Sequence, residues 1–390
     1  MKTSAKSPAQ ALRPGHALTL ANVAEGAEGL VISDLARAVA AKKDAPAVSL
    51  VVVCRDGPRM AQLARALEFF APDLGVLQFP AWDCQPYDRV SPHGGILAQR
   101  LTTLAKLSRL KGSEKALIVL TTVNAIVQRV PAREVVAAQA LSLVPSHRVP
   151  MDNIAAWLEH NGYNRTSTVR EPGEYAVRGG ILDLFPAGLD QPVRLDFFGD
   201  TLESIRTFDA ESQRTLLDMR GLDLVPVSEF QLVTETIKRF RMGYVAQFGA
   251  PDRDDQLYEA VSEGRRHPGM EHWLPLFQER MDTLFDGSPV VLEHQAEDAA
   301  RERFPQIGDY YEARREALDP PGGGAIYKPL PPDRLYLTDS EWTQHLSDVA
   351  LARLTPFALP DGEGVIDIDA RQGRDFAPER GDAKVNVFES

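Results

Sequence analysis

Arg178-Gly-Gly-Ile-Leu-Asp-Leu-Phe-Pro186 is followed at short range by Val193-Arg-Leu-Asp-Phe-Phe-Gly-Asp200 and Leu202-Glu-Ser-Ile-Arg-Thr-Phe-Asp209, and the three segments read as consecutive strands. Side chains alternate across a strand, so Val193, Leu195 and Phe197 share one face while Arg194, Asp196 and Phe198 share the other. A large aromatic therefore stands among charges. An apolar anchor ringed by charge has the composition of a protein-binding hot spot, in which the aromatic supplies desolvated area and the charges set orientation. The same pattern fits a two-sided sheet whose second face is covered by helices of the same chain.

Outward from this stretch, the pattern changes in both directions. Residues 16–135 alternate strand and helix: a strand at 18–20, a helix over 30–41, the continuous apolar run 47–54, a helix over 58–70, another around 96–107, and an apolar strand at 116–122. That alternation predicts a doubly wound parallel sheet. From residue 141 a short strand at 143–145 and a helix at 151–161 lead into the antiparallel strands, which end near Val225. Helices at 235–248 and 254–264 and an apolar strand at 289–294 then return to the first type. The predicted organisation is one α/β domain split by a small α+β insertion: 1–140, the insertion 141–228, 229–347, and a polar linker over 348–390 leading into a domain the chain does not complete.

Composition bounds the function. The chain has 390 residues, 44% hydrophobic and 25% charged, which suits two to four globular domains. No run of eighteen apolar residues appears, and the opening Met1-Lys-Thr-Ser-Ala-Lys-Ser lacks the apolar core of a signal peptide, so a cytoplasmic chain without membrane contact is expected. Cys54 and Cys84 are the only cysteines and have no ligand spacing, so neither a disulfide framework nor a zinc site is expected. A net charge of -12 argues for weak or no direct DNA binding, because neutralising phosphates takes a basic surface, and favours a protein partner.

The first strand-to-helix turn of such a sheet is where a phosphate-binding loop would sit. It reads Ala24-Glu-Gly-Ala-Glu-Gly-Leu-Val31. Gly29 keeps the glycine of the P-loop pattern, but Leu30 stands in the slot of its lysine and Val31 in that of its hydroxyl residue. Glu25 and Glu28 would face the triphosphate and repel it. After the strand at 289–292 comes Glu293, read as a surface carboxylate at a strand end, where a motor would hold its metal. No cofactor, metal or catalytic residue is predicted. His267 and His272 lack the spacing of a helical metal pair; His93 and His294 read as solvated or packed; Trp82, Tyr87, Trp157, Trp273 and Trp342 read as packing residues. Arg265-Arg266 and Arg314-Arg315 read as surface charge.

Gly173-Glu-Tyr-Ala-Val-Arg-Gly-Gly-Ile-Leu-Asp-Leu-Phe-Pro186, Arg194-Leu-Asp-Phe-Phe198 and Phe208-Asp-Ala-Glu-Ser-Gln-Arg-Thr215 resemble the bacterial transcription-repair coupling factors, in their N-terminal part that is similar to the excision-repair helicase UvrB. Ala81-Trp-Asp83, Pro86-Tyr-Asp88, Ser91-Pro-His93 and Met270-Glu-His-Trp273 extend the resemblance over most of residues 15–345. It implies a UvrB-like α/β fold in which a degenerate helicase-like domain carries the inserted domain. It also implies a non-catalytic recruitment module that binds UvrA through Arg178, Arg194 and Phe198. In that scheme the two guanidiniums pair with acidic groups of UvrA, Phe198 fills an apolar pocket, and Arg178 opens the strand beside the one bearing the other two. In the intact factors the motor and the RNA polymerase contact lie further along, and a C-terminal domain covers the UvrA-binding surface. UvrB carries a long damage-probing hairpin after the Ala81-Trp82 position, where this chain has only residues 83–95 before its next helix. The alternative reading is an ATP-dependent DNA helicase or translocase subunit like UvrB itself; a DNA-contacting domain with a local basic patch is a third.

Overall fold

A computed structural model describes residues 8–110, 116–252, 255–317 and 327–371. In chain order its strands are β1 (Ala17–Ala21), β2 (Leu50–Cys54), β3 (Gly75–Phe79), β4 (Leu117–Thr122), β5 (Val130–Pro131) and β6 (Leu141–Leu143). Then come β7 (Asn164–Arg165), β8 (Glu174–Arg178), β9 (Ile181–Leu184), β10 (Val193–Phe198), β11 (Thr201–Phe208), β12 (Thr215–Asp218) and β13 (Leu222–Leu224). The last four are β14 (Met281–Asp282), β15 (Val290–Leu292), β16 (Leu351–Leu354) and β17 (Val365–Asp367).

Seven parallel strands form the main sheet in the order β17-β1-β16-β15-β2-β4-β3. Its central strands are apolar throughout because both faces are covered. In β2, Leu50, Val52 and Cys54 pack under the helices Glu28–Ala40 and Gly57–Phe70, while Val51 and Val53 join the larger core on the opposite face. The same larger core takes in the insertion.

The insertion is built on six strands in the order β12-β11-β10-β9-β8-β7, antiparallel apart from the β7–β8 pair. Its inner face (Tyr175, Leu182, Leu184, Val193, Leu195) packs with Ile154 and Leu158 of the helix Met151–His160. Pairing runs Leu195↔Ile205, Asp196↔Ser204, then Phe197↔Leu202, which leaves Glu203 without a partner. This bulge turns Leu202 and Ile205, three residues apart, toward the same core. Strands β6 and β13, where the chain passes into and out of the insertion, pair as a two-stranded ribbon with Leu143 opposite Leu222 and Leu141 opposite Leu224. The fully buried Arg100 of the helix Gly94–Arg109 pairs with Glu229 at 2.6 Å and donates to the Pro80 carbonyl at 2.8 Å. Gly188 of the insertion, at φ +79°, approaches Thr102 of the same helix so closely that an added Cβ would stand 2.6 Å from its methyl carbon.

The expected linker from residue 348 is corrected. Strands β16 and β17 flank β1 in the main sheet, so the parallel domain extends to Asp367. Three residues of β17 amid Asp and Gly are too short a signal to read as a strand, and their pairing with β1 supplies what their own sequence does not. Residues 372–390 of the expected incomplete domain lie outside the described residues.

Candidate functional site

The outer face of the inserted sheet gathers the three residues singled out from sequence. Register aligns Ala176, Asp183, Arg194 and Arg206 in one row and Arg178, Ile181, Asp196 and Ser204 in the next, with Phe198 opposite Thr201 beyond them. Alternation along each strand puts Arg178, Arg194 and Phe198 on this one face.

Their surroundings differ. The Arg194 guanidinium grips Asp183 through two bonds of 2.7 and 2.9 Å and lies 4.9 Å from the Phe208 ring. Asp183 has a side chain only 3% exposed, so this pair is an internal bond of the sheet. Arg206 likewise neutralises Asp196 at 2.6 Å, with the Ser204 hydroxyl donating to the same carboxylate at 2.7 Å. Arg178 contacts only the Ser167 carbonyl and the Thr168 hydroxyl, and among the described residues it pairs with no carboxylate. It closes β8 ahead of the Gly179-Gly180 turn, rather than opening a strand as the sequence suggested. Phe198 is 77% exposed at the end of β10, before the turn in which Gly199 adopts φ +58°. The two turns lie at one end of the sheet, tied by the Phe197 amide donating to the Gly180 carbonyl at 2.8 Å. Phe197 packs against the core. Among the described residues, the tip of the sheet therefore offers the exposed Phe198 ring and the Arg178 guanidinium without a carboxylate.

At the expected nucleotide loop the charges are consumed internally. Helix Glu28–Ala40 begins at Glu28, which accepts a bond from the Gly26 amide at 2.7 Å, a donor a phosphate would otherwise use. Arg59 reaches from the next helix to Glu28 at 3.0 Å, Glu293 at 2.9 Å and Glu25 at 3.7 Å. Gly29 serves close helix packing: a Cβ there would stand 2.9 Å from the Ala66 Cβ. Leu30 is exposed in the first helical turn, and Val31 packs against the apolar layer. What remains is a cleft of about 200 Å³ lined by Glu25, Glu28, Arg55, Arg59, Glu293 and His294. Glu293, read as a surface carboxylate, is buried. Burial raises its pKa, and Arg59 partly offsets that rise. Nothing next to Glu293 in sequence signals an arginine arriving from 234 positions away.

Other residues fall as follows. His272 is fully buried with neither ring nitrogen bonded, stacked on Tyr87 at 6.0 Å and edge-on to Trp82 at 5.4 Å, and burial pushes its pKa down to about 3. His93 caps helix Gly94–Arg109 by accepting from the Gly95 amide at 3.2 Å. Trp273 is buried in an aromatic cluster with Phe240 and Tyr244. Arg314 is more than surface charge, donating to the Tyr87 carbonyl at 2.8 Å. Among the described residues no group of three His, Cys, Asp or Glu side chains is placed to hold a metal, and no helix is long and apolar enough to cross a membrane.

Comparison with known proteins gives this geometry a context. Residues 141–230 match the family model of the UvrB interaction domain. The chain is similar to the transcription-repair-coupling factor of Haemophilus influenzae, 35% identical over 352 residues, which is 89% of this chain and 29% of that protein. The Escherichia coli factor is 31% identical over 80% of the chain and 26% of its own length, and the Bacillus subtilis factor 27% identical over 56% of the chain and 19% of its length. The chain thus spans little more than a quarter of the first of these relatives. It resembles the N-terminal, UvrB-like region of the transcription-repair-coupling factors.

Proposed function

We propose that this chain, a UvrB-like α/β unit of the transcription-repair-coupling type, is a non-catalytic recruitment module that binds UvrA through the tip of its inserted sheet. The observation that carries the reading is Phe198, a bare aromatic on a face where Arg194 and Arg206 are each neutralised by a carboxylate and Arg178, among the described residues, is not. An aromatic anchor on the same face as a guanidinium that lacks a carboxylate is the composition of a docking hot spot. Phe198 enters an apolar pocket of UvrA and Arg178 pairs with a carboxylate at its rim. Arg194, held by Asp183, keeps the strands in register beneath them. In the intact factor this delivers repair proteins to stalled RNA polymerase through regions further along, and a C-terminal domain covers the surface until then.

The nucleotide loop supports the non-catalytic part of this reading. Three carboxylates face the position of the phosphates, the Gly26 amide is taken, and the one deeply placed guanidinium is shared among those carboxylates. A nucleotide triphosphate gains no net counter-charge there.

Calorimetric titration of the chain with purified UvrA tests the reading. Saturable binding that weakens by about 2 kcal/mol or more in Phe198→Ala is expected. Unchanged affinity in that variant would remove the site, and no binding by the wild type would remove the function. Separate titration with ATP and Mg²⁺ is expected to give no heat of binding; saturable heat would revive the helicase-like alternative.

A further inference from the structure

Helix Thr234–Phe248 has two apolar stripes where an amphipathic surface helix needs one. Phe240 and Tyr244 point inward, with Phe240 stacked on Phe277 at 5.1 Å and Tyr244 edge-on to Trp273 at 5.4 Å. The second stripe, Met242, Val245 and Ala246, is exposed, with the half-buried Ile237 at its margin. Met242 is 58% exposed and Val245 46%. Together with Tyr258 and Ser262 of helix Gln256–Ser262, these residues line a groove of about 820 Å³. A contiguous apolar groove in contact with water marks an interaction surface more often than single exposed residues do.

Its charge is one-sided. Among the described residues, the charged side chains that line the groove are Lys238 and Arg241, and neither pairs with a carboxylate. In a chain of net charge -12, where Arg59, Arg100, Arg194 and Arg206 all find carboxylates, two unmatched cations beside one groove are a complementarity signal. The Ser262 hydroxyl oxygen, also lining it, is buried without a hydrogen-bond partner.

We propose that this groove receives an acidic amphipathic helix of a partner protein. The incoming helix lays apolar side chains at i, i+3 or i+4, and i+7 against Ile237, Met242, Val245 and Tyr258, while its Asp or Glu residues pair with Lys238 and Arg241 at the rim. The unbranched Met242 adapts to the side chains it meets. A second copy of this groove is a poor occupant, because a self-complementary contact sets Lys238 and Arg241 against the same cations. Nucleic acid is a poor occupant as well, since two cations on an acidic chain neutralise too few phosphates. The surface shares no residue with the Phe198 tip, so the two proposals stand or fall separately.

The test is fluorescence anisotropy on the full chain with a labelled synthetic amphipathic peptide of about five helical turns, Leu on one face and Glu on the other. A counterpart peptide with Lys replacing every Glu is the control. Saturable binding of the acidic peptide alone is expected, weakened about tenfold or more by Lys238→Glu with Arg241→Glu, and separately by Met242→Ala with Val245→Ala. Phe198→Ala should leave it unchanged. Absence of saturable binding, equal binding of the basic peptide, or full affinity in both double variants overturns the proposal. Sedimentation showing a wild-type dimer that Met242→Glu dissociates also overturns it, by making a second copy the occupant.

Discussion

The tip of the inserted sheet and the loop that opens the helix Glu28–Ala40 of the parallel domain are both charged turns at the end of a sheet, and they have opposite electrostatic fates. At the loop, Arg59 binds two carboxylates within 3.0 Å, and Glu28 has folded back onto a backbone donor. At the tip, among the described residues, Arg178 has no carboxylate and Phe198 is 77% exposed. A site whose charges have already found each other has little left to offer a ligand, whereas one left incomplete is completed by a partner. Reading a charged motif for function therefore requires asking where each charge is already spent.

The sharpest way to break this contrast is to free a charge that is internally held. Arg59→Ala leaves Glu293, whose side chain is 2% exposed, without its guanidinium, and Arg194→Ala does the same to Asp183. Each should destabilise the fold by about 3–5 kcal/mol in denaturant unfolding, because an unpaired buried charge is left behind. Arg178→Ala and Phe198→Ala should instead leave stability within about 0.5 kcal/mol, as for exposed surface sites. Equal losses in Arg178→Ala and Arg194→Ala would erase the distinction between a contact residue and a positioning one. In UvrA binding the order reverses: Phe198→Ala should cost about 2 kcal/mol or more with no change in melting temperature.

Two smaller effects sharpen the reading of the loop. Gly29→Ala forces a Cβ to within 2.9 Å of Ala66 and should cost about 1–3 kcal/mol from overpacking, without any nucleotide being involved. Glu293→Gln should reveal a pH dependence of known sign. Burial raises the native pKa of Glu293 above its unfolded value near 4.5, so the native state holds that proton more tightly than the unfolded chain does. The stability this contributes is present below the unfolded pKa and lost as pH rises through the native one. The variant should therefore gain on the wild type as pH increases through the carboxylate range. A difference that is flat with pH would mean that Arg59 offsets the burial of Glu293 completely.

Much of the architecture was legible because its signals are local. The unbroken apolar run of β2 announces a strand buried on both faces, and the alternation in β10 announces one buried on a single face, with Arg194 and Phe198 sharing the other. Register through β9 then brings Arg178 to the same face. What sequence does not show is the state of each charge. Asp183 lies eleven residues from Arg194, and Glu293 lies 234 from Arg59, so only the folded register reveals these pairs. The edge strand β17 escaped because its pairing with β1, across hundreds of residues, supplies what three of its own residues do not. The Arg100–Glu229 pair had no signal at all, being two ordinary surface residue types that meet only in the interior.

The short ribbon of β6 and β13 has an evolutionary corollary. Because it clasps the two crossing points side by side, with Leu143 against Leu222, the host sheet meets the segment 144–221 between them as it would a loop with closed ends. Such a cassette can be lifted from one scaffold and set into another without re-threading either. An ancestral host could thus lose its own chemistry and keep the passenger, and a graft cut at the ribbon is the natural first attempt at moving the docking surface onto an unrelated protein.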